Sequence, residues 1–152
     1  MIWYLGGCME WEFNPNDWNE DELTNGSYCT FVYLILFDDG YFYVGKKNIY
    51  RGIKDAKNIK KTTKESNWRE YESSSKTVQN RIAQGYAYRK IILWAYTTCN
   101  EATFTESMLI GETCRSSYRL NKAVMEKYRI ETIKPRTMIV LDYLKETYIN
   151  GR

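Results

Sequence analysis

Two aromatic triplets in the chain place tyrosines close to a group of cations. The triplets are Phe31–Tyr33 (Phe-Val-Tyr) and Tyr43–Gly45 (Tyr-Val-Gly), and the second is followed by Lys46, Lys47 and, soon after, Arg51. A free tyrosine has a pKa near 10, and cations beside it favour the phenolate and lower that pKa. Cations also bind phosphate oxygens, arginine through a fork and lysine as a point charge. These residues are therefore candidates for chemistry on a polyanion.

A carboxylate that could hold a metal ion comes later in the chain. Hydrolysis of a phosphodiester needs an activated water and positive charge near the phosphate, and one divalent metal ion can supply that charge. Mg²⁺ prefers oxygen ligands and keeps several waters, so one protein carboxylate can be enough. Glu101, Glu106 and Glu112 lie on one predicted helix and have the same chemistry. Their residue type alone does not distinguish them.

The elements that must position these residues can be predicted from the residue pattern. Residues 30–37 form a run of β-branched and aromatic residues that predicts a buried strand, and residues 41–44 predict a second strand. The Asp-Asp-Gly turn between them is short, so the two strands should form an antiparallel hairpin. Residues 86–96, rich in Tyr and Ile, predict a third strand.

Helices are predicted around these strands. Residues 76–84 predict a short helix capped by Ser75 or Thr77. Residues 100–112 predict a longer helix with Asn100 as its cap. Weaker patterns predict a helix over 120–128 and a last strand or helix over Ile139–Tyr148 that packs on the core. Residues 46–75 are expected to contain some helix but much loop.

Composition excludes several kinds of active site. The chain of 152 residues has no histidine, which rules out a serine–histidine triad and a histidine-ligated zinc site. Its four cysteines form no C-x-x-C pair, so a zinc knuckle is not expected, and we expect reduced, mostly buried thiols. Residues 1–30 lack a signal-peptide pattern and no apolar run is long enough to span a membrane.

Charge is distributed unevenly although the net charge is only +3. Residues 1–44 contain eight acidic residues and no Lys or Arg, whereas residues 45–90 contain thirteen basic residues and four acidic ones. A localised basic block suits a polyanion, because each cation that neutralises a phosphate releases condensed counterions. A solvated lysine loop is the alternative explanation. The candidate phosphate contacts are Lys46, Lys54, Lys57, Lys60, Lys61, Ser74, Ser75 and Lys76.

Together these features resemble the GIY-YIG nuclease family over roughly residues 30–122. The two triplets match the family's paired signature, although this chain has Phe31 where the family name has glycine. The cations after Gly45 lie where the family carries a catalytic cation. Trp68, Tyr71 and the serines before Lys76 are similar to a Trp-Tyr-Ser-Ser element of phage-type members. Glu106 begins Glu-Ser-Met-Leu-Ile, which resembles the setting of the family's metal-binding glutamate.

The resemblance implies an α/β (α+β) fold with a small antiparallel three-stranded sheet flanked by helices. The corresponding division of the chain is an acidic, Trp-rich N-terminal extension over 1–29, a nuclease core over 30–122 and a C-terminal extension packed on the core over 123–152. The resemblance also implies DNA cleavage with Mg²⁺ or Mn²⁺ as cofactor.

Roles for single residues follow from the same resemblance. Tyr33 corresponds to the general base, with Tyr43 beside it on the neighbouring strand. Glu106 corresponds to the metal ligand. Gly45 and Asn121 correspond to structural positions, Asn121 ordering the backbone of the site.

This chain departs from the family at two positions. Ile53 stands where the family has its catalytic arginine, so Lys47 and Arg51 both remain candidates for the cation. The histidine of many members is missing, and Tyr71 is the replacement that other members use.

Two other functions remain open beside a nuclease. A catalytically inactive relative could bind nucleic acid or protein, and an interaction protein could act through the acidic N-terminal segment. For a nuclease we expect DNA as the partner, no membrane, and the cytoplasm of a host cell if the gene is of phage origin. A single site would nick DNA, so double-strand cleavage would call for a dimer or two successive events.

Overall fold

A four-stranded sheet carries both tyrosine triplets in the computed structural model, which describes residues 9–13, 18–124 and 128–150. The strand order is β1-β4-β2-β3. Strands β2, β3 and β4 are antiparallel to one another, whereas β1 runs parallel to β4. The strands are β1 (Trp11–Phe13), β2 (Thr30–Phe37), β3 (Phe42–Asn48) and β4 (Tyr88–Tyr96).

The sheet has one strand more than the sequence predicts. The hairpin and the third strand are confirmed, and the α+β class with them. The fourth strand, β1, comes from the segment expected to be an irregular extension. It has only three residues, too few for an alternating pattern to be read, and it forms through pairing with β4 far along the chain.

The helices lie on both faces of this sheet. Alternate residues of β2 point to opposite faces, so Phe31, Tyr33 and Ile35 join one core cluster while Val32 joins another, packed under α3. The helices are α1 (Glu20–Leu23), α2 (Lys76–Ala83), α3 (Cys99–Thr113) and α4 (Pro135–Leu144), which continues as a π-helical turn over Lys145–Ile149, and a 3₁₀ turn covers Ala56–Asn58.

The two central helices match their predictions closely. Ser75 caps α2, as predicted, and its hydroxyl accepts a hydrogen bond from the Val78 N–H at 3.3 Å. The predicted cap of α3 is wrong by two residues. Thr98 is the cap, because its hydroxyl accepts from the Glu101 N–H at 3.1 Å, and Asn100 is already helical.

The C-terminal part of the chain differs most from prediction. No helix forms in the described residues of 120–128, where Ala123–Val124 (β5) pairs instead with Tyr128–Arg129 (β6) and residues 125–127 lie outside the described structure. The segment Ile139–Tyr148 is helical, but none of its residues is buried. In the described part of the chain, no helix is long and apolar enough to cross a membrane.

The cysteines agree in part with their prediction. The described cysteines are free thiols, and only Cys29 is fully buried, whereas Cys99 and Cys114 are half-buried. Cys8 lies outside the described residues.

Candidate active site

The two triplets meet at the centre of the β2–β3 hairpin. Tyr33 pairs directly with Gly45 across the ladder. The tyrosine ring lies so close to this glycine that an added Cβ would be 2.4 Å from the phenolic oxygen and from Cζ. No other residue has room here, since real Cβ contacts are essentially never shorter than 3.0 Å. Gly45 is therefore required to seat the Tyr33 ring against the strand.

Three further side chains gather around the Tyr33 ring. Tyr71 packs edge-on against it, with the ring centroids 6.0 Å apart, and Tyr43 lies 6.3 Å away. Lys47 is on the same face of β3, two residues beyond Gly45, and its ammonium lies 4.2 Å from the centroid of Tyr71. This tyrosine cluster, defined as Tyr33, Tyr43, Tyr71 and Lys47, brings four of the predicted site residues together.

Asn121 fixes the backbone of the strand beside this cluster. Its side-chain oxygen accepts from the Val44 N–H at 2.9 Å, and its side-chain nitrogen donates to the Val44 carbonyl at 2.8 Å. Val44 lies on the outermost strand of the sheet, so both groups would otherwise lack a strand partner. The buried asparagine thus takes the place of a neighbouring strand and holds the backbone between Tyr43 and Gly45.

A groove runs along the same edge of the sheet. Its volume is about 260 Å³, and the half-buried Tyr43 and Asn121 line it. Ser75, Lys76 and Thr77, at the start of α2, also line it. The groove therefore offers hydroxyl and ammonium groups to an anion next to the tyrosine cluster.

Glu106 lies on the other side of the edge strand. It shares a stripe of α3 with Ala102 and Ile110, which pack under the sheet against Val32 and Val44. It is 6 % exposed, while Glu101 and Glu112 of the same helix face solvent. Burial thus distinguishes the three glutamates that share one chemistry. The tyrosine cluster and Glu106 flank β3 from its two faces.

Burial raises the pKa of Tyr33 well above its usual value, and the neighbouring Tyr71 adds to this effect. The side chain is 1 % exposed. A hydrogen bond from Ser73 acts in the opposite direction and lowers this pKa. The expectation that the adjacent cations lower the Tyr33 pKa is therefore wrong. The reason is that Lys47 lies over the Tyr71 ring, so the surroundings of the Tyr33 phenol are mainly uncharged.

The structure separates the two candidate cations. Lys47 contacts the cluster, and burial lowers the pKa of its ammonium group. Arg51 is exposed in the following turn, where its N–H donates to the Lys64 carbonyl at 3.0 Å. Lys46 is half-buried and points to the opposite face, that of Val32. Ile53, at the position of the family arginine, packs against the core.

Within the basic block, residues 54–61 form an ordered loop at one end of the sheet. The Ala56 N–H donates to the Thr97 carbonyl at 2.8 Å, and the Cys99 N–H donates to the Lys54 carbonyl at 2.9 Å. These bonds tie the loop to the start of α3. The predicted phosphate contacts in this loop all face solvent, namely Lys54, Lys57, Lys60 and Lys61. Ser74 and Lys76, near α2, also face solvent.

Two residues of this region were not among the predicted site residues. Trp11 of β1 packs edge-on against Tyr33, with centroids 5.4 Å apart, and donates from its indole nitrogen to the Trp68 carbonyl at 2.7 Å. Ser73 is buried beside Tyr33. The Trp-rich composition of the first residues hinted at packing, but no sequence signal pairs Trp11 with Tyr33. Ser73 was visible only as one member of a serine run.

The donor set fits a metal ion that needs few protein ligands. Among the described residues, no group of three or more His, Cys, Asp or Glu side chains could enclose an ion. Glu106 is a buried carboxylate beside the edge strand, and its oxygens are the ligands that Mg²⁺ and Mn²⁺ accept. One carboxylate with water as the remaining ligands is compatible with Mg²⁺, whereas a structural zinc site is not.

A family of known proteins matches most of the chain. Residues 11–130 match the family described as "endonuclease segE, GIY-YIG domain". The match includes β1, the hairpin, α2, β4 and α3, and therefore every residue of the tyrosine cluster together with Glu106.

A curated relative gives the same result over most of the chain. The chain is 34% identical over 116 residues to "Intron-associated endonuclease 2" of Enterobacteria phage T4. The aligned part covers 76% of this chain but only 39% of the relative, so the chain spans well under half of that protein's length. No solved structure matches the chain.

Proposed function

The chain belongs to the GIY-YIG nuclease family, and from this premise we propose that it is an endonuclease that hydrolyses DNA phosphodiester bonds with one divalent metal ion. The observation that carries the proposal is the arrangement on the two faces of β3. Tyrosines and a lysine lie on one face, with the Tyr33 ring seated against Gly45, and a buried glutamate lies on the other.

Tyr33 is assigned the role of general base. In the reaction, a water oxygen forms a bond to phosphorus, its proton passes to the phenolate, and the bond from phosphorus to one ester oxygen breaks. Because burial raises the pKa of Tyr33, only a small fraction is phenolate at neutral pH. Catalysis should therefore become faster as the pH rises towards the Tyr33 pKa.

Lys47 is assigned the cation that the family supplies with arginine. In the described part of the chain no carboxylate forms an ion pair with it, so its charge is available to a phosphate. Its position over the Tyr71 ring restricts the ammonium group to the side of the sheet where Tyr33 lies. Tyr71 then serves to place the cation, in the position where other members carry a histidine.

Glu106 is assigned the metal, with Mg²⁺ or Mn²⁺ as the ion. When bound, such an ion would polarise a phosphoryl oxygen and stabilise the negative charge on the leaving oxygen. The protein's own contribution is a carboxylate kept from bulk water by the packing of α3 on the sheet.

DNA is the proposed substrate because several cations of the basic block are exposed. The ordered loop over 54–61 and the groove beside Tyr43 both present ammonium groups. Such contacts position the phosphate backbone and do not read its sequence. A phage-type nuclease would meet this substrate in the cytoplasm of a host cell.

The test is cleavage of supercoiled plasmid with Mg²⁺ or Mn²⁺. We expect open-circular or linear product from the wild type, none after addition of EDTA, and none from Glu106→Gln, which keeps the shape of the side chain. Glu112→Gln, on the exposed side of the same helix, is the matched control and should cleave normally. Equal activity of Glu106→Gln and wild type would disprove the assignment of the metal ligand.

A second candidate function is an inactive module that binds nucleic acid. The burial of Tyr33 favours it, because a phenol with a raised pKa is a weak base. Plasmid that is retained by the protein in a salt-sensitive way, but is never cut with any divalent ion, would support this candidate.

A further inference from the structure

The C-terminal helix α4 exposes an apolar stripe, formed by Ile139, Val140 and Tyr143. These side chains are 58 %, 54 % and 57 % exposed, and their spacing of three and four residues places them on one side of the helix. Monomeric proteins rarely leave large apolar side chains together in water, and such patches mark interaction sites. No residue of α4 or of the π-helical turn after it is buried. The described part of the chain therefore does not cover this stripe.

A different side of α4 faces the rest of the molecule. Asp142 pairs with Arg115 at 4.0 Å, and Met138 lines a groove together with Cys114 and Arg115, at the end of α3. Because Met138 and Asp142 are one helical turn apart, they mark the side of α4 that is directed towards α3. The apolar stripe lies on another side of the helix, where a second molecule can reach it.

Opposite charges lie at the two ends of the stripe. Arg136 stands one turn before Ile139 and Val140, Glu146 stands one turn after Tyr143, and both charged residues are exposed. They are ten residues apart, which is about 15 Å along a helix, so they do not pair within one chain.

This stripe is complementary to itself when two copies of α4 run antiparallel. A twofold axis makes each residue meet its counterpart reciprocally. With the axis beside Val140, Arg136 lies opposite Glu146 of the second copy, and Ile139 lies opposite Tyr143. A parallel arrangement would instead place Arg136 against Arg136 and Glu146 against Glu146. The charges therefore favour the antiparallel pair.

We propose that α4 is a dimerisation element, and that its apolar stripe packs antiparallel against the same stripe of a second copy of this chain. The charges of the segment Pro135–Ile149 balance, because Arg136 and Lys145 stand against Asp142 and Glu146. Such a segment does not suit a phosphate backbone, which is bound by an excess of cations. The same balance disfavours an anionic membrane surface.

The contact is small, so the dimer should exchange with the monomer. Three apolar side chains and two long charged ones offer roughly 500 Å² per copy, and a specific interface needs about 1,000 Å² in total. We expect dissociation in the micromolar range. A dimer carries two tyrosine clusters, so one complex has a site for each strand of a duplex. That consequence rests on the proposed nuclease function, whereas the dimer itself does not.

The first test is sedimentation equilibrium of the full chain over a range of concentrations. We expect a dimer that dissociates on dilution, and about a hundredfold weaker association of Ile139→Asp, because a carboxylate would be buried in the stripe. Met108→Asp is the matched control, since Met108 is 56 % exposed on α3, and it should associate like the wild type. Circular dichroism of each variant checks that the helices are retained.

A charge exchange tests the antiparallel arrangement. Arg136→Glu and Glu146→Arg each place like charges opposite one another at both ends, and each should weaken association by about tenfold. The variant with both substitutions restores opposite charges, so its association should return to within about twofold of the wild type. A role of these residues in the stability of the helix alone would give no such rescue.

The outcomes separate the dimer from the proposed function. A protein that stays monomeric at every concentration overturns the proposal, as does a dimer that Ile139→Asp leaves unchanged. Association of the double variant as weak as that of the single variants overturns the antiparallel pairing. A monomer whose retention of plasmid is lost in Ile139→Asp overturns the proposal in favour of DNA as the occupant. A dimer that responds to the variants as expected, but never cuts plasmid, supports the dimer and refutes the nuclease function.

Discussion

The two faces of β3 differ in how they accommodate polar groups. On the face of Tyr33, phenols and an ammonium group are enclosed by aromatic rings, which pack edge-on and tolerate a cation above them. On the face of α3, Glu106 shares the buried side of the helix with Ala102 and Ile110, which pack with Val32 and Val44. One face therefore distributes its polar atoms over several elements, and the other places a single carboxylate in a helix stripe.

In the proposed nuclease, the metal ligand and the general base would lie on opposite faces of one strand. If both groups lay on one face, the aromatic packing that buries Tyr33 would also have to admit a carboxylate. With β3 between them, each face keeps its own packing. Gly45, which has no side chain, provides the room in which the Tyr33 ring lies against the strand.

The largest effect should come from removal of the phenol on the tyrosine face. Tyr33→Phe keeps the ring against Gly45 but removes the group that accepts a proton, so cleavage should slow by about 10²- to 10⁴-fold with little change in stability. Single-turnover cleavage compared with Tyr43→Phe, which should lose less, measures this effect. If Tyr43→Phe is the more damaging change, the half-buried tyrosine is the base.

A smaller loss is expected when the cation of the same face is neutralised. Lys47→Gln should slow cleavage by about 10- to 100-fold, because the charge near the phosphate is lost while the stem is kept. Arg51→Gln provides the control, and it should lower the rate less than threefold or so, since Arg51 is exposed outside the cluster. If Arg51→Gln slows cleavage more than Lys47→Gln, the catalytic cation is an arginine, as is usual in the family.

Removal of the hydrogen bonds that Asn121 makes to β3 should lower the stability of the protein. Asn121→Ala leaves the N–H and carbonyl of Val44 without their partner, at a cost of about 1–3 kcal/mol in the free energy of unfolding. Urea denaturation measures this change. An unchanged free energy would mean that water replaces the amide.

The smallest effect should come from the exposed loop. Lys60→Gln and Lys61→Gln should each reduce the slope of log K for DNA binding against log salt by about 0.9 if the lysine contacts a phosphate. Cleavage of bound DNA should not change, because neither lysine belongs to the tyrosine cluster. Filter binding at several salt concentrations measures the slope. A slope equal to that of the wild type would show that these lysines do not contact phosphates.

Local patterns predicted the parts of the fold that depend on local interactions. The hairpin, the third strand and the helix capped by Ser75 each leave a signature in neighbouring residues, through alternation, a turn or a cap. The strand β1 left none, because its three residues are held by a partner about eighty positions away, as in the ion pair between Arg89 and Glu12. Pairing in the folded protein, and not local propensity, makes this segment a strand.

The candidate site, like the fold, could be predicted only in part from the sequence. The residue types and the resemblance led to the tyrosines, Lys47 and Glu106 as candidates, and the structure then showed which glutamate is buried and which cation lies in the cluster. Burial was the property that sequence could not supply. For this reason the Tyr33 pKa was expected to fall but instead rises, since desolvation depends on Trp11 and Tyr71 from distant segments.

The parallel pairing of β1 with β4 has a consequence for the order in which the molecule is made. As the chain leaves the ribosome, the first strand emerges early but its partner is synthesised roughly eighty residues later. Until then β1 has no strand to pair with, and no sheet holds Trp11 against the Tyr33 ring. We therefore expect the surroundings of the Tyr33 phenol to be completed late, when the N-terminal strand docks, because non-local pairing is slow.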